Sequence, residues 1–323
     1  MKRIGVFTSG GDAPGMNAAI RAVVRTCAYN NIESYGIFEG YKGLISGEVQ
    51  KIESRGVSNI IQRGGTILKS SRCAEFHTKE GRAEAYETIK KIGLDGIVAI
   101  GGDGTFTGAS IFNKEYNIPF VGIPGTIDND LYGTDFAIGY DTAINTVVEA
   151  VDKIRDTASS HNRLFIVEVM GKDAGFIALR SGIGVGAEAI LIPETITYVD
   201  QLIKKLQGDR NGRKSSMIVI VAEGDELGGA YEVARKVKEK CPLYDSRVTV
   251  LGHIQRGGSP SAMDRVLASR MGHEAVNALM NHKTNVMIGI VNKEVVYTPF
   301  EKAIKHHQKI NKDLLQLAEV LSC

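Results

Sequence analysis

The chain has 323 residues, with 39 Lys+Arg against 37 Asp+Glu and a formal net charge of +2. That length suffices for a large core and for two domains, and the even charge balance gives no reason to expect nucleic acid as a partner. Its 43% hydrophobic and 24% charged content is that of a soluble globular enzyme, and no apolar run approaches membrane-spanning length. Strands and helices are expected to alternate. Lys2–Thr8 reads as a strand, followed by a glycine-rich loop and a helix from about Ala18 to Asn30. Glu33–Phe38 reads as a strand and Ala83–Ile92 as a helix. Gly96–Ile100 is the next strand, Thr107–Tyr116 a helix, and Phe120–Ile123 a buried strand.

The helix over Thr142–Ala158 carries Ile144, Val147, Val148, Val151 and Ile154, one apolar stripe that leads into a second α/β region. Strands are expected there near Leu164–Val169, Ala189–Ile192, Met217–Ala222 and Val248–Leu251, with helices near Gly175–Ile183, Val199–Leu206 and Ala230–Lys240. Ser261–Met280 and a stretch from about Asn311 read as helices. The rhythm is that of doubly wound parallel sheets, and no clean linker separates the two regions, so the domains are expected to share chain crossings. Cys27, Cys73, Cys241 and Cys323 contain no CxxC pair, which suggests neither zinc nor a redox motif and is met most simply by free thiols in a reducing cytoplasm. The N-terminus enters a strand almost at once, so no signal peptide is expected.

Glycines cluster after strands. Ser9–Asn17 (SGGDAPGMN) lies between strand and helix, where backbone amides and a helix N-terminus attract phosphate; it is neither GxGxxG nor GxxxxGK[ST]. Gly101–Thr105 (GGDGT) ends another strand, and Asp103 could hold magnesium beside a phosphate, or serve only as a helix N-cap. Pro124–Asp130 (PGTIDND) sets a hydroxyl and two carboxylates at a strand end, where open α/β sheets bind ligands. A cap needs one Asp; Asp128 and Asp130 recur at i, i+2. A donor-suited strand end and another bearing a base suggest phosphoryl transfer, for which an ionised aspartate can accept the acceptor's proton. Arg21 and Arg25 lie at i, i+4 on one helix face, which is either an anion site or a solvated basic face. His306 and His307 have no third ligand spaced for a metal and read as surface residues.

Together with DKIRDTASSHNR at 152–163, VMGKDAG at 169–175, VAEG at 221–224 and LGHIQRGG at 251–258, these motifs make the chain similar to the bacterial 6-phosphofructokinases over nearly its whole length. Those enzymes move the γ-phosphoryl of ATP to the 1-hydroxyl of fructose 6-phosphate. The resemblance implies two Rossmann-like doubly wound α/β domains with the active site in the cleft: a larger ATP-binding one over 1–140 and 255–305, and a smaller sugar-phosphate one over 141–254 and 306–323. It implies Asp128 as general base, flanked by Thr126 and Asp130. Gly11 would offer its amide to the transferring phosphoryl, Asp103 would hold Mg2+, and Gly102, Gly104 and Thr105 would wrap the nucleotide phosphates. Tyr41, Arg72 and Cys73 would complete the ATP contacts. Arg163, Arg247, His253 and Arg256 would bind the sugar phosphate, with Met170, Gly171, Lys172 and Glu223. In the family the residues matching Arg163 and Arg247 come from a neighbouring subunit, and the implied assembly is a cytoplasmic homotetramer.

The resemblance further implies an ADP or phosphoenolpyruvate effector site from Arg21, Arg25, Arg55, Arg155, Gly186, Glu188 and Lys214. Three departures stand out. Lys172 replaces the usual Arg of the MGR motif, which keeps the charge and loses bidentate geometry; residues 212–216 are less basic than usual; and Asn59 stands where an acidic residue is common. Pyrophosphate-dependent relatives typically carry Asp and Lys at the positions of Gly104 and Gly125, so ATP is the expected donor. The alternatives are that pyrophosphate-dependent enzyme and a catalytically silent nucleotide-sensing subunit. NAD and diacylglycerol kinases share a GGDG element but have no need of the other segments.

Overall fold

The computed structural model describes residues 1–158, 163–195, 198–208, 216–225, 228–242 and 244–322. The chain opens with β1 (Arg3–Thr8), α1 (Met16–Tyr29), β2 (Glu33–Ile37), α2 (Tyr41–Ser46) and β3 (Val49–Lys51). It continues through α3 (Lys79–Ile92), β4 (Gly96–Gly101), α4 (Asp103–Tyr116) and β5 (Phe120–Pro124). Then come α5 (Tyr140–Ala158), β6 (Arg163–Val169), α6 (Phe176–Gly184), β7 (Ala189–Leu191), α7 (Tyr198–Gly208), β8 (Ser216–Ala222), α8 (Ala230–Lys240) and β9 (Asp245–Val250). Last are α9 (Ala262–Met280), β10 (Val286–Val291), β11 (Glu294–Pro299), α10 (Phe300–Lys305) and α11 (Lys312–Leu321).

Two compact units result. One comprises Met1–Ile127, Leu131–Thr142 and Arg256–Gln308; the other comprises Asp128–Asp130, Ala143–Gln255 and Lys309–Cys323. The larger unit holds a seven-stranded sheet of order β11-β10-β5-β4-β1-β2-β3. Strands β2, β1, β4, β5 and β10 run parallel, with an antiparallel strand on each edge. Every residue of β4 is buried, as a parallel strand covered on both faces requires, which is why Ile97–Ile100 reads as an uninterrupted apolar run. The smaller unit holds a four-stranded parallel sheet, β7-β8-β6-β9. No helix among the described residues is long and apolar enough to cross a membrane.

Helix ends follow local chemistry. Thr78 accepts from the Gly81 amide at 3.0 Å ahead of α3, and Gly93 at φ +73° ends it after two lysines. Ser261 and Asn311 cap α9 and α11 in the same way. The hairpin β10–β11 is absent from the expected elements although its turn residues, Asn292 and Lys293, both take positive φ, the geometry of the tight turns that join antiparallel strands. Strand β9 begins three residues earlier than its apolar stretch, because Asp245–Arg247 pair with Arg163–Phe165 whatever their polarity.

One buried carboxylate organises the start of α5. Asp264, fully buried in the first turn of α9, accepts from the Gly139 amide (2.8 Å), the Thr142 amide (2.8 Å) and the Thr142 hydroxyl (2.5 Å). Burial raises its pKa above the ordinary carboxylate value. Replacing Asp264 by Asn leaves a single oxygen for donors that now reach two, so some must face an amide NH2. The expected loss is about 1–3 kcal/mol of unfolding free energy, measured by urea denaturation. Undiminished stability would show that these bonds contribute nothing.

Candidate active site

In the larger unit, β1 is followed by β2 on one side while β4 and β5 lie on the other. The chain therefore reverses direction across the sheet between β1 and β4, and the carboxyl ends beside such a reversal are where open α/β sheets bind ligands. The loops after β1 and β4 meet there. Ser9 N–H donates to the Ile100 carbonyl at 2.9 Å and joins the two loops at their roots.

Each loop is held open for a reason of its own. Gly10 and Gly15 take φ of +87° and +111°, the second leading into α1 with no side-chain cap on its first amides. Asp12 accepts from the Thr66 amide (3.0 Å). The buried Asn17 donates to the carbonyls of Arg63, Gly64 and Gly65 (3.0, 2.9 and 2.9 Å) and accepts from the Ile67 amide (2.8 Å), lashing residues 63–67 beside the first loop. A Cβ on Gly11 would overlap the Arg256 guanidinium, whose Nη1 donates to the Asp12 carbonyl at 3.4 Å. Arg256 thus belongs with Gly11 in the larger unit, whereas His253, Arg163 and Arg247 belong to the smaller one.

At β4, a Cβ on Gly101 would overlap the Thr105 hydroxyl and the Ser9 carbonyl. Helix α4 starts at Asp103, with Gly102 as its N-cap, so Asp103 is not the cap. Among the described residues its exposed carboxylate has no hydrogen-bond or ion-pair partner, and it stands beside free helix amides. Gly104 faces open space: no atom lies within 4 Å of an added Cβ. Gly125, by contrast, is hemmed in by Ile100 and Met16, at 3.0 and 3.1 Å. Thr126 lies next to Gly102, the nearest approach to an added Cβ there being 3.8 Å. The chain then enters Asp128–Asp130, half-buried carboxylates on either side of a buried Asn129 at φ +54°. Tyr41 is a core residue, its ring stacked on Phe76 at 3.9 Å and its hydroxyl donating to the Thr105 carbonyl at 2.5 Å, so it supports the first turn of α4 from beneath. Arg72 is exposed; Cys73 is half-buried, its thiol pKa raised by burial and near Glu75 (3.6 Å).

In the smaller unit the reversal falls between β6 and β9, and their carboxyl ends, with that of β8, carry Met170–Lys172, His253 and Glu223. Gly171 (φ +140°) and Lys172 (φ +53°) turn the backbone so that the Lys172 amide meets the Glu223 carboxylate at 2.8 Å, leaving the Lys172 side chain in solvent near Asp173 (3.6 Å). Arg163 and Arg247 stand at the other end of this sheet. Asp245 lies 3.5 Å from Arg163 Nε and 2.9 Å from Arg247 Nη2, so one carboxylate faces two guanidiniums and a positive charge is left over. From Arg163 to Met170 the strand runs roughly 20 Å, at about 3.3 Å per residue.

The residues of the implied effector site fall into two groups. Arg21 and Arg25 on α1 pack near the 3-10 turn that holds Arg55, and Arg25 reaches Ser58 (3.4 Å). In the smaller unit Arg155 donates to the Val185 carbonyl, next to Gly186 at φ +61°, and Glu188 accepts from the Ile218 amide at 2.6 Å. Lys214 lies outside the described residues.

Sequence reasoning gave no separate role to Asp12, Asn17 and Gln255, although they lie inside the quoted motifs, or to Asp264; the first three brace the loops of the candidate site and the last the start of α5. For Asp264 the SxxD spacing from Ser261, a helix-start pattern, was the available signal.

Together the fold and these strand ends define a two-unit α/β protein with mainly parallel sheets and glycine-rich loops at the strand ends. Residues 3–279 match the family model described as Phosphofructokinase. An ATP-dependent 6-phosphofructokinase 2 of Bacteroides thetaiotaomicron is 58% identical over 100% of this chain and 99% of its own length. A phosphofructokinase structure from Saccharomyces cerevisiae aligns with TM-score 0.89 and 36% identity over 100% of this chain, which spans 47% of that longer chain. A pyrophosphate-dependent phosphofructokinase from Marinobacter aquaeolei aligns with TM-score 0.84 over 98% of this chain and 91% of its own. At 22% identity it shows the shared fold alone. The chain belongs to the phosphofructokinase family.

The strap across the first loop is testable without substrate. In Asn17→Leu the Ile67 amide loses its buried acceptor, so amide exchange over residues 66–68 should accelerate and stability should fall by about 1–3 kcal/mol. Unchanged exchange there would mean that other contacts hold the loop.

Proposed function

We propose that this chain is an ATP-dependent 6-phosphofructokinase, transferring the γ-phosphoryl of ATP to the 1-hydroxyl of fructose 6-phosphate. The observation that carries the donor assignment is the pair of glycines. Gly104 leaves open room at the α4 N-terminus, whereas a Cβ on Gly125 would meet Ile100 and Met16 at 3.0 and 3.1 Å, so a lysine there would require both side chains to give by a few tenths of an ångström. Nucleotide α- and β-phosphates need the first; a lysine suited to bare pyrophosphate would need the second. The full-length relative named as ATP-dependent supports the same choice.

In this reading the amides after β1 and β4 bind the nucleotide phosphates, and Gly11 stays a glycine so that phosphate and the Arg256 guanidinium can share its backbone. Asp128 takes the proton of the sugar 1-hydroxyl as that oxygen attacks the γ-phosphorus. Its low basicity suits a loose transition state in which positioning and charge neutralisation dominate. Thr126 and Asp130 orient the reacting groups. A magnesium ion arriving with the nucleotide fits Asp103, since such ions rest on one or two carboxylates plus substrate phosphates, and no cluster of three or more His, Cys, Asp or Glu occurs among the described residues. It would supply neutralising charge on the phosphates.

Met170–Lys172, Glu223 and His253 hold the sugar. Arg163 and Arg247, roughly 20 Å along the sheet from them, serve the 6-phosphate of a neighbouring copy, which makes activity depend on a homo-oligomer, a tetramer by family resemblance. Arg21, Arg25, Arg55, Arg155, Gly186, Glu188 and Lys214 would take ADP or phosphoenolpyruvate.

A coupled assay for fructose 1,6-bisphosphate, with magnesium and either ATP or pyrophosphate, tests the reading. Turnover with ATP is expected, and turnover with pyrophosphate alone would overturn the donor assignment. Asp128→Asn should lower kcat by roughly 10²-fold or more with sugar-phosphate binding largely kept; near-normal turnover would remove Asp128 as the base. Arg163→Ala should raise the KM for fructose 6-phosphate by about tenfold or more while the KM for ATP stays within about twofold, and equal shifts would place Arg163 elsewhere.

A further inference from the structure

Gln255 is fully buried, yet it lies in a turn whose neighbours, Ile254 and His253, are exposed. Both ends of its amide are engaged inside the smaller unit. Oε1 accepts from the Met170 amide at 3.3 Å, and Nε2 donates to the Gly252 carbonyl at 3.1 Å. Met170 follows β6 and Gly252 follows β9, the two adjacent strands between which this sheet reverses direction. Their roots are already tied by the Leu251 amide on the Glu168 carbonyl, at 3.0 Å. Gln255 adds a side-chain brace one step further out, where the backbone leaves the sheet and no ladder bond can hold it.

The Met170 amide is the donor that matters. Residues 171 and 172 both take positive φ, so the chain turns away from the strand directly after it, and Gly171 is followed by the amide that meets Glu223. A buried amide at such a turn must find an acceptor, and Gln255 supplies one that also reaches the neighbouring loop. A leucine or methionine would fill the same volume and brace nothing.

We propose that Gln255 is a positioning residue for the acceptor sugar. It fixes the Met170–Lys172 loop against the turn that carries His253, and so sets affinity for the sugar phosphate without touching it. This rests on the phosphofructokinase reading for its substrate. The adjoining peptide bond adds a consequence. Arg256, the next residue, belongs to the larger unit and lies over Gly11 and Asp12, so one short turn carries both the acceptor brace and a cation of the donor loop.

The test uses the full-length enzyme with Gln255→Met, which keeps size and removes both bonds, and Gln255→Glu, which keeps an acceptor for the Met170 amide and loses the donor to Gly252. In the protein without substrates, amide exchange at Met170 should accelerate at least about tenfold in the Met variant and stay near wild type in the Glu variant. In the assay, the Met variant should raise the KM for fructose 6-phosphate about tenfold while the KM for ATP and kcat stay within about twofold to threefold, and the Glu variant should recover part of that loss. Equal shifts in both KM values, or a lower melting temperature with neither KM changed, would reduce Gln255 to a packing role and overturn the proposal. Absence of wild-type turnover would sink the functional reading instead, and the exchange result would still decide whether the brace exists.

Discussion

The parallel pairing of β1 with β4, Thr8 beside Ile100, is the constraint from which the larger unit's chemistry follows. Their connections depart to opposite sides, so the loops after β1 and β4 meet at the carboxyl ends. The Ser9–Ile100 hydrogen bond brings those loops so close that Gly101 cannot carry a side chain. Around that close approach the rest is support: Asp12 and Asn17 strap a third segment alongside, and Tyr41 props α4 from the core. The first amides of α1 and α4 are left without a side-chain cap, the arrangement on which the proposed phosphate binding rests.

The smaller unit repeats the device with other residues. Its reversal lies between β6 and β9, and where the first unit relies on glycine, the second relies on a backbone turned through positive φ at Gly171 and Lys172. Lys172 thereby presents its amide to Glu223 and its ammonium to solvent. The backbone geometry and the amide bond to Glu223, not the Lys172 side chain, hold this loop in shape. The cationic residues Arg163 and Arg247 share Asp245 toward the far end of the same sheet.

Much of this was legible in the sequence. The buried strands β1, β4, β5, β6 and β8 announced themselves as continuous apolar runs, because a parallel strand covered on both faces has no polar side to show. Their glycine-rich ends marked the loops, and Asp128 and Asp130 stood out because two carboxylates two residues apart exceed what a cap requires. The edge strands β3 and β11 are not legible in this way, since an edge strand half in water has a weak pattern and takes its pairing from its neighbour, whereas β10 is an inner strand whose apolar run, Val286–Val291, was there to be read.

What the sequence alone determined was local: which segments are strands or helices, where glycine lets the backbone approach a ligand, and which side chains carry charge. These depend on residues within a turn or two of one another. Only the tertiary structure decided which strands are neighbours, and hence that Ser9 meets Ile100, that Gly11 lies under Arg256, and that Arg163 and Arg247 share Asp245. Likewise Asp264, Asn17 and Gln255 acquire their roles from partners 122 residues away, 50 residues away and 85 residues away. A buried polar side chain is defined by the donor or acceptor it must satisfy, and that partner is chosen by chain topology, which no short window of sequence contains.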